Sequence, residues 1–277
     1  MRLADWLPDV WAQTRTVRIL DGGGDGGPLP ERKILAGLAD PAQLDRLRGL
    51  STSGRFTGDS CRCLGNLTLA LYDVDDRLLG NATVHGHGRI SWERAGFADD
   101  LEVAEPTALA LFLAECGVAG RLVGLFTDLV MALGYYEESD APQFRPAGVA
   151  AALADRQVPE ALRAELVGVA GNVAAELPDD RVRELARRLT AAEPDGVARA
   201  RTLLNWLGRL PFPTEALWGE GVLVRHLLAT LPEPVIVAAA AADQATVALG
   251  ALNWGVHQPD DRVIAAAIAP TLRRLLP

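Results

Sequence analysis

The chain has 277 residues, of which 49% are hydrophobic and 23% charged, the balance of a folded globular protein rather than a disordered one. Its formal charge of −9 repels phosphate backbones, so nucleic acid is not an expected partner. Three cysteines cannot all pair, the leading MRLADWLPDVWAQ carries Asp5 and Asp9 where a secretory leader is apolar, and the run Val235 to Ala242 is too short for a bilayer, so a cytoplasmic protein with no membrane partner is expected.

In chain order, residues 2–13 read as an amphipathic helix with Leu3, Trp6, Leu7, Val10 and Trp11 on one side. Thr16–Leu20 reads as a strand and runs into the glycine loop DGGGDGGPLP. Gly22-x-Gly24-x-x-Gly27 has the spelling of a dinucleotide fingerprint, but Pro28 and Pro30 separate it from the next helix and no parallel βαβ unit follows, so a turn explains it better. Pro30-Glu31 is expected to open a helix. A second should follow Asp40-Pro41, with Asp40 as N-cap and Pro41 in the first turn. Glu105-Pro106-Thr107 begins another, closed by Gly117.

Between them lies CRCLGNLTLALYDVDDRLLGNATVHGHGRISW, residues 61–92, read as one long hairpin. Leu67, Leu69 and Leu71 share a face of the first strand, and Gly80, Ala82, Val84, Ile90 and Trp92 share one of the second. A two-residue loop at Asp75-Asp76, or a four-residue loop pairing 73 with 78, sets Leu67 opposite Val84, Leu69 opposite Ala82 and Leu71 opposite Gly80. Extended outward, that register puts Cys63 opposite Gly88 and Cys61 opposite Ile90, on the core side, with His85 opposite Asn66 and His87 opposite Leu64 on the other. LALYDVDDRLL spells the first motif of haloacid-dehalogenase-type phosphatases at Asp73 and Asp75, yet Asp76 and Arg77 depart from it and an aspartate-rich turn explains the same letters.

Two functional sets follow. Cys61, Cys63, His85 and His87 are the residue types of a tetrahedral zinc site, but ligands on opposite faces cannot share an ion unless a bulge intervenes between Val84 and Gly88, which Gly86 and Gly88 permit. The register therefore favours buried, inert thiols and no cofactor. It favours instead a polar face on which His85, His87, Arg89 and Asn66 line a pocket for an anionic small molecule or an acidic partner segment.

Beyond Gly120 the pattern is helical. EESDAPQFRPAG, residues 137–148, reads as a linker, and helices are expected over roughly 159–176, 179–192, 195–209, 214–231, 234–257 and 260–276. Pro-Asp-Asp-Arg-Val occurs twice, at 178–182 and 259–263, and Leu-Asn-Trp twice, at 204–206 and 252–254, the weak repetition of stacked helical hairpins. His226 and His257 read as structural or capping residues, and Trp206 and Trp254 as core anchors.

The Cys-x-Cys, the apolar strand, the aspartate turn, His85 and Ile90-x-Trp92, together with LLNWLGRLPFP, resemble a family of uncharacterised actinobacterial proteins. The resemblance implies no activity. The expected architecture is α+β: residues 1–138 form a small antiparallel-sheet module around hairpin 61–92, and residues 149–277 an all-α domain of HEAT-like or irregular helical repeats. The expected function is a non-catalytic intracellular interaction protein, an adaptor, immunity or regulatory factor, binding a protein partner through the helical surface or the inter-domain groove. The alternative is an enzyme or metal-binding protein using the His85/His87 face.

Overall fold

The computed structural model describes residues 2–86, 88–121, 125–126, 129, 158–166, 179–210, 217 and 220–275. The fold is α+β, and the chain divides into two compact units, Met1–Gly124 and Leu125–Pro277. The expected linker at 137–148 and His87 lie outside the described residues.

Among the described residues, the first unit is a seven-stranded antiparallel sheet with three α-helices. Its strands are β1 (Thr16–Asp21), β2 (Ile34–Leu38), β3 (Gly54–Phe56), β4 (Leu67–Tyr72), β5 (Leu78–Val84), β6 (Arg89–Trp92) and β7 (Asp100–Val103), in the spatial order β2-β1-β4-β5-β6-β7-β3. Helices α1 (Leu3–Gln13), α2 (Pro41–Thr52) and α3 (Pro106–Glu115) pack an apolar core against one sheet face. That core takes Leu3, Leu7, Val10 and Trp11 from α1, Leu47 from α2, Leu109, Phe112 and Leu113 from α3, and Val17, Ile19, Leu69, Leu71, Ile90 and Trp92 from the strands. Trp92 is fully buried, meets Trp6 and Trp11 edge-on at 6.4 and 6.0 Å, and donates its indole N–H to the Ser51 carbonyl at 3.2 Å. Removing a tryptophan-sized apolar surface from water contributes roughly 5 kcal/mol. Asp40 caps α2 by accepting from the Gln43 N–H at 3.0 Å, as the Asp-Pro pair predicts.

The β4–β5 register is the expected one, with Leu67 opposite Val84, Leu69 opposite Ala82 and Leu71 opposite Gly80. It slips at Tyr72, which pairs with Leu78, so the loop is the five residues Asp73–Arg77. Asp73 holds that loop by accepting from the N–H groups of Asp75 and Arg77, and Asp76 takes the left-handed conformation at φ 60°.

Three expectations are corrected. Pro30-Glu31 opens only a single 3-10 turn, Leu29–Glu31, after which Ile34–Leu38 pairs with β1 as an edge strand. Residues 61–66 are not strand, because Gly65-Asn66 turns the chain just before Leu67. The second half of the hairpin is two strands, β5 and β6, joined by a tight turn after Val84, with Gly88 at φ 79° and its N–H bonded to the His85 carbonyl. Ile90 therefore pairs with Val84 and Leu101, and Cys61 faces neither.

The second unit shows α4 (Glu160–Leu166), α5 (Asp179–Ala192), α6 (Gly196–Leu207), α7 (Glu220–Leu228), α8 (Glu233–Ala240), α9 (Ala245–Val256) and α10 (Arg262–Leu275). The single helix expected over 234–257 breaks at Ala241–Gln244 into α8 and α9, which lets two short, almost wholly apolar helices bury their surfaces separately. Both Leu-Asn-Trp segments lie inside. Trp206 is fully buried with its N–H on Glu220 at 3.2 Å, and Asn253, 1% exposed, accepts from Arg225 at 2.9 Å. Among the described residues no single helix is long and apolar enough to cross a membrane.

Candidate metal centre

The site follows from one topological step. β3 sits at the far edge of the sheet beside β7, whereas β4, the next strand in sequence, lies near the centre. The connection 57–66 must pass over β7, β6 and β5 on the face opposite the helices. Its anchors trace that path: the Thr57 N–H donates to the Asp100 carbonyl at 2.9 Å, the Cys61 N–H to Asp100 Oδ2 at 2.6 Å, and the Asn66 N–H to the Val84 carbonyl at 3.1 Å. A Cβ added to Gly65 would lie 2.3 Å from Thr83 Cγ2 and 3.3 Å from His85 Nδ1, so the loop rests directly on that face.

The crossing brings together the side chains that a long hairpin would have kept apart. The ligand atoms of Cys61, Cys63 and His85 all lie within 4.8 Å of one another, and Cys63 Sγ is 3.0 Å from His85 Nδ1. Cys63 is exposed, Cys61 half-buried, and His85 only 2% exposed. Cys63 thus lies at the surface and Cys61 is half-buried, not the buried thiols expected, while His85 stands on the sheet face opposite the helices, as the register placed it, and is covered by the loop. The Cys63 N–H donates to Cys61 Sγ at 3.3 Å, which ties the two cysteines together through the loop backbone.

Behind His85 a polar chain sets its tautomer. Ser91 donates its hydroxyl hydrogen to Asp100 Oδ1 at 2.5 Å, and Asp100 is completely buried. A hydroxyl has one hydrogen, so the contact of 2.8 Å between Ser91 Oγ and His85 Nε2 requires the ring to donate there. The Nε2–H tautomer leaves the lone pair on Nδ1, the nitrogen that faces the sulfurs. Asp100 therefore governs both halves of the cluster, orienting the imidazole through Ser91 and fixing the cysteine loop through the Cys61 amide.

Arg94 completes the frame. Its guanidinium donates to the carbonyls of Cys61 at 2.5 Å and Cys63 at 2.8 Å, gripping the loop on both sides of Arg62 and setting a positive charge beside the sulfurs. The glycine loop touches the same segment, with the Gly24 N–H on the Leu64 carbonyl at 2.6 Å. The Cys63 thiol is pushed above its ordinary range, first by its hydrogen bond with Cys61 and then by burial, with Arg94 opposing. Cys116, at the end of α3, is far more strongly affected: burial pushes it up to about 11, and the neighbouring Glu115 adds to this.

The expected polar-face residues divide. His85 joins the cysteines, Arg89 pairs with Asp59 at 3.4 Å, and Asn66 is exposed and accepts from Arg121 at 3.5 Å. Sequence reasoning missed Ser91, Arg94 and Asp100. The only signal pointing toward them was the Gly65-Asn66 turn, which ends the strand before the cysteines can join it.

Two thiol sulfurs and one imidazole lone pair converging at this range are the donor set of a borderline-soft divalent ion. A tetrahedral zinc with bonds of about 2.0–2.3 Å holds its ligand atoms roughly 3.3–3.8 Å apart, within the span seen here. The buried Asp100–Ser91–His85 series is the kind of outer-shell support that metal-bound histidines carry. No known protein family, curated protein or solved structure matches the chain.

Proposed function

We propose that this is a metal-binding protein whose first unit holds one zinc-class ion on Cys61, Cys63 and His85. The observation that carries the reading is the convergence of these three ligand atoms in front of a histidine whose tautomer is already set for Nδ1 ligation. Binding displaces the thiol protons, the dication supplying the charge that two adjacent thiolates need. Arg94 and Asp100 hold the ligand loop through its backbone, so the order of the site does not have to be created entirely by the ion. The measurement is metal content of untagged protein, with zinc titration of the stripped form. One zinc per chain is expected, with at least ~100-fold weaker binding in Cys63→Ala and in His85→Ala. A chain that takes up no zinc, or binds equally well without either side chain, overturns the reading.

A second reading concerns the helical unit, which we propose binds a protein partner, making the whole a non-catalytic adaptor or regulatory factor. Support comes from its succession of short helices that bury apolar residues on their neighbours, with an exposed charged face on α5 that carries Arg183 and Arg187. Crosslinking in the source cells should capture one partner through lysine-free surface positions of 179–275. Recovery of the chain uncrosslinked, with purified protein turning over a substrate, would sink this reading.

A further inference from the structure

We infer that the Cys61–Cys63–His85 site is a redox-controlled metal site, in which oxidation of Cys63 by a peroxide releases the ion. The inference rests on the metal reading above and assigns regulation to that same centre. Accessibility sets the order of events. Among the three ligands, Cys63 is exposed, Cys61 half-buried, and His85 closed off at 2% exposure, so a small oxidant arriving from solvent meets the Cys63 sulfur first. A resolving thiol stands beside it: the two sulfurs are within 4.8 Å, and the Cys63 amide is already bonded to Cys61 Sγ at 3.3 Å. With one residue between them the bridge closes a small ring, which makes it a strained disulfide and one that is easily reduced. Cys116, the remaining cysteine, is held in a half-buried position against the core on the helix side of the sheet and is not a competitor.

The chemistry balances as a two-electron oxidation. The Cys63 thiolate attacks one oxygen of hydrogen peroxide, forming an S–O bond as the O–O bond breaks, and yields sulfenic acid and hydroxide. The Cys61 thiolate then attacks that sulfur, the S–S bond forms, and a second hydroxide leaves. Two protons from solvent turn both hydroxides into water. The peroxide is reduced and the two sulfurs are oxidised. Both anionic ligands are then gone, and the lone imidazole of His85 does not retain the dication. The loop itself stays in place, because its anchors are backbone contacts to Arg94 and Asp100 that involve neither sulfur. A dithiol reductant therefore regenerates a site ready to reload.

The test uses the full-length zinc-loaded protein, hydrogen peroxide, a chromogenic zinc chelator and peptide mass spectrometry. Zinc release is expected to rise in step with a loss of two hydrogens from the peptide carrying Cys61 and Cys63, with Cys116 unmodified. Dithiothreitol followed by zinc should restore full occupancy. Cys116→Ser should release zinc at the unaltered rate, whereas dimedone present during oxidation should label Cys63 ahead of Cys61. Zinc that remains bound while the thiols oxidise, or release that tracks oxidation of Cys116, overturns the inference and leaves the metal reading intact. A protein that takes up no zinc at all defeats the metal reading itself, and this inference with it.

Discussion

Gly250→Ala is expected to cost the helical unit about 3–5 kcal/mol, a large effect for a single methyl group. Helices α6 and α9 cross with their backbones in contact. A Cβ at Gly250 would lie 1.9 Å from the Leu204 carbonyl oxygen, and one at Gly208 would lie 1.8 Å from that of Thr246. Neither neighbour is a flexible side-chain end, so relief requires the two helices to separate. The crossing also organises what surrounds it: Asn205 and Thr246 share a hydrogen bond across it at 2.5 Å, and Leu204, Trp206 and Leu252 are fully buried within it. Separation by even an ångström forfeits much of that packing. Urea unfolding followed by circular dichroism measures the loss, with Gly208→Ala expected to behave alike. Gly49→Ala is the opposite-sign control, because this glycine lies exposed in α2 with nothing within 4 Å of an added Cβ. That change should stabilise the first unit by about 0.5–1 kcal/mol. A Gly250→Ala protein as stable as the parent would show that the helices do not approach this closely.

The second large effect is expected at Asp100. Its two carboxylate oxygens accept separately, one from the Ser91 hydroxyl and one from the Cys61 amide, in a position closed to solvent. Asp100→Ala strands both donors and is expected to cost about 2–4 kcal/mol of stability. Asp100→Asn is the sharper experiment. An amide offers one accepting and one donating end, so either Cys61 loses its partner or Ser91 must reverse its hydroxyl. In the reversed arrangement Ser91 donates to His85 Nε2, the ring proton moves to Nδ1, and the lone pair no longer faces the sulfurs. The expected result is zinc affinity weaker by about 10–100-fold, with a smaller stability loss than in Asp100→Ala. Nitrogen-15 NMR of the imidazole reports the tautomer directly. Unchanged affinity together with an unchanged tautomer would show that Asp100 supports the fold alone.

How much of this was legible in the letters differs between the fold and the site. Local chemistry was readable where a short stretch decides its own conformation. The Asp40-Pro41 cap, the amphipathic first helix, the helix from Pro106 and the register of Leu67–Leu71 against Gly80–Val84 all depend on residues near one another in sequence. The α+β class followed from the same signals. The edge strand Ile34–Leu38 was not readable, because its five residues acquire strand character only by pairing with β1. The site was named letter by letter in the sequence and misplaced in space. Cys61, Cys63 and His85 were identified as possible ligands, but period-two alternation continued through residues 61–66 and put them on opposite faces.

The sequence by itself determined the donor types, their close spacing, and a central hairpin whose apolar face is buried. Only the tertiary structure decided that they meet, since strand β3 pairs at the far edge and the chain must return across the open face to reach β4. That return lays the cysteines over the end of β5, against Ser91, Arg94 and Asp100, which stand 28 to 39 positions further along the chain. Alternation is a property of one strand, whereas the route of a crossover is a property of the whole sheet.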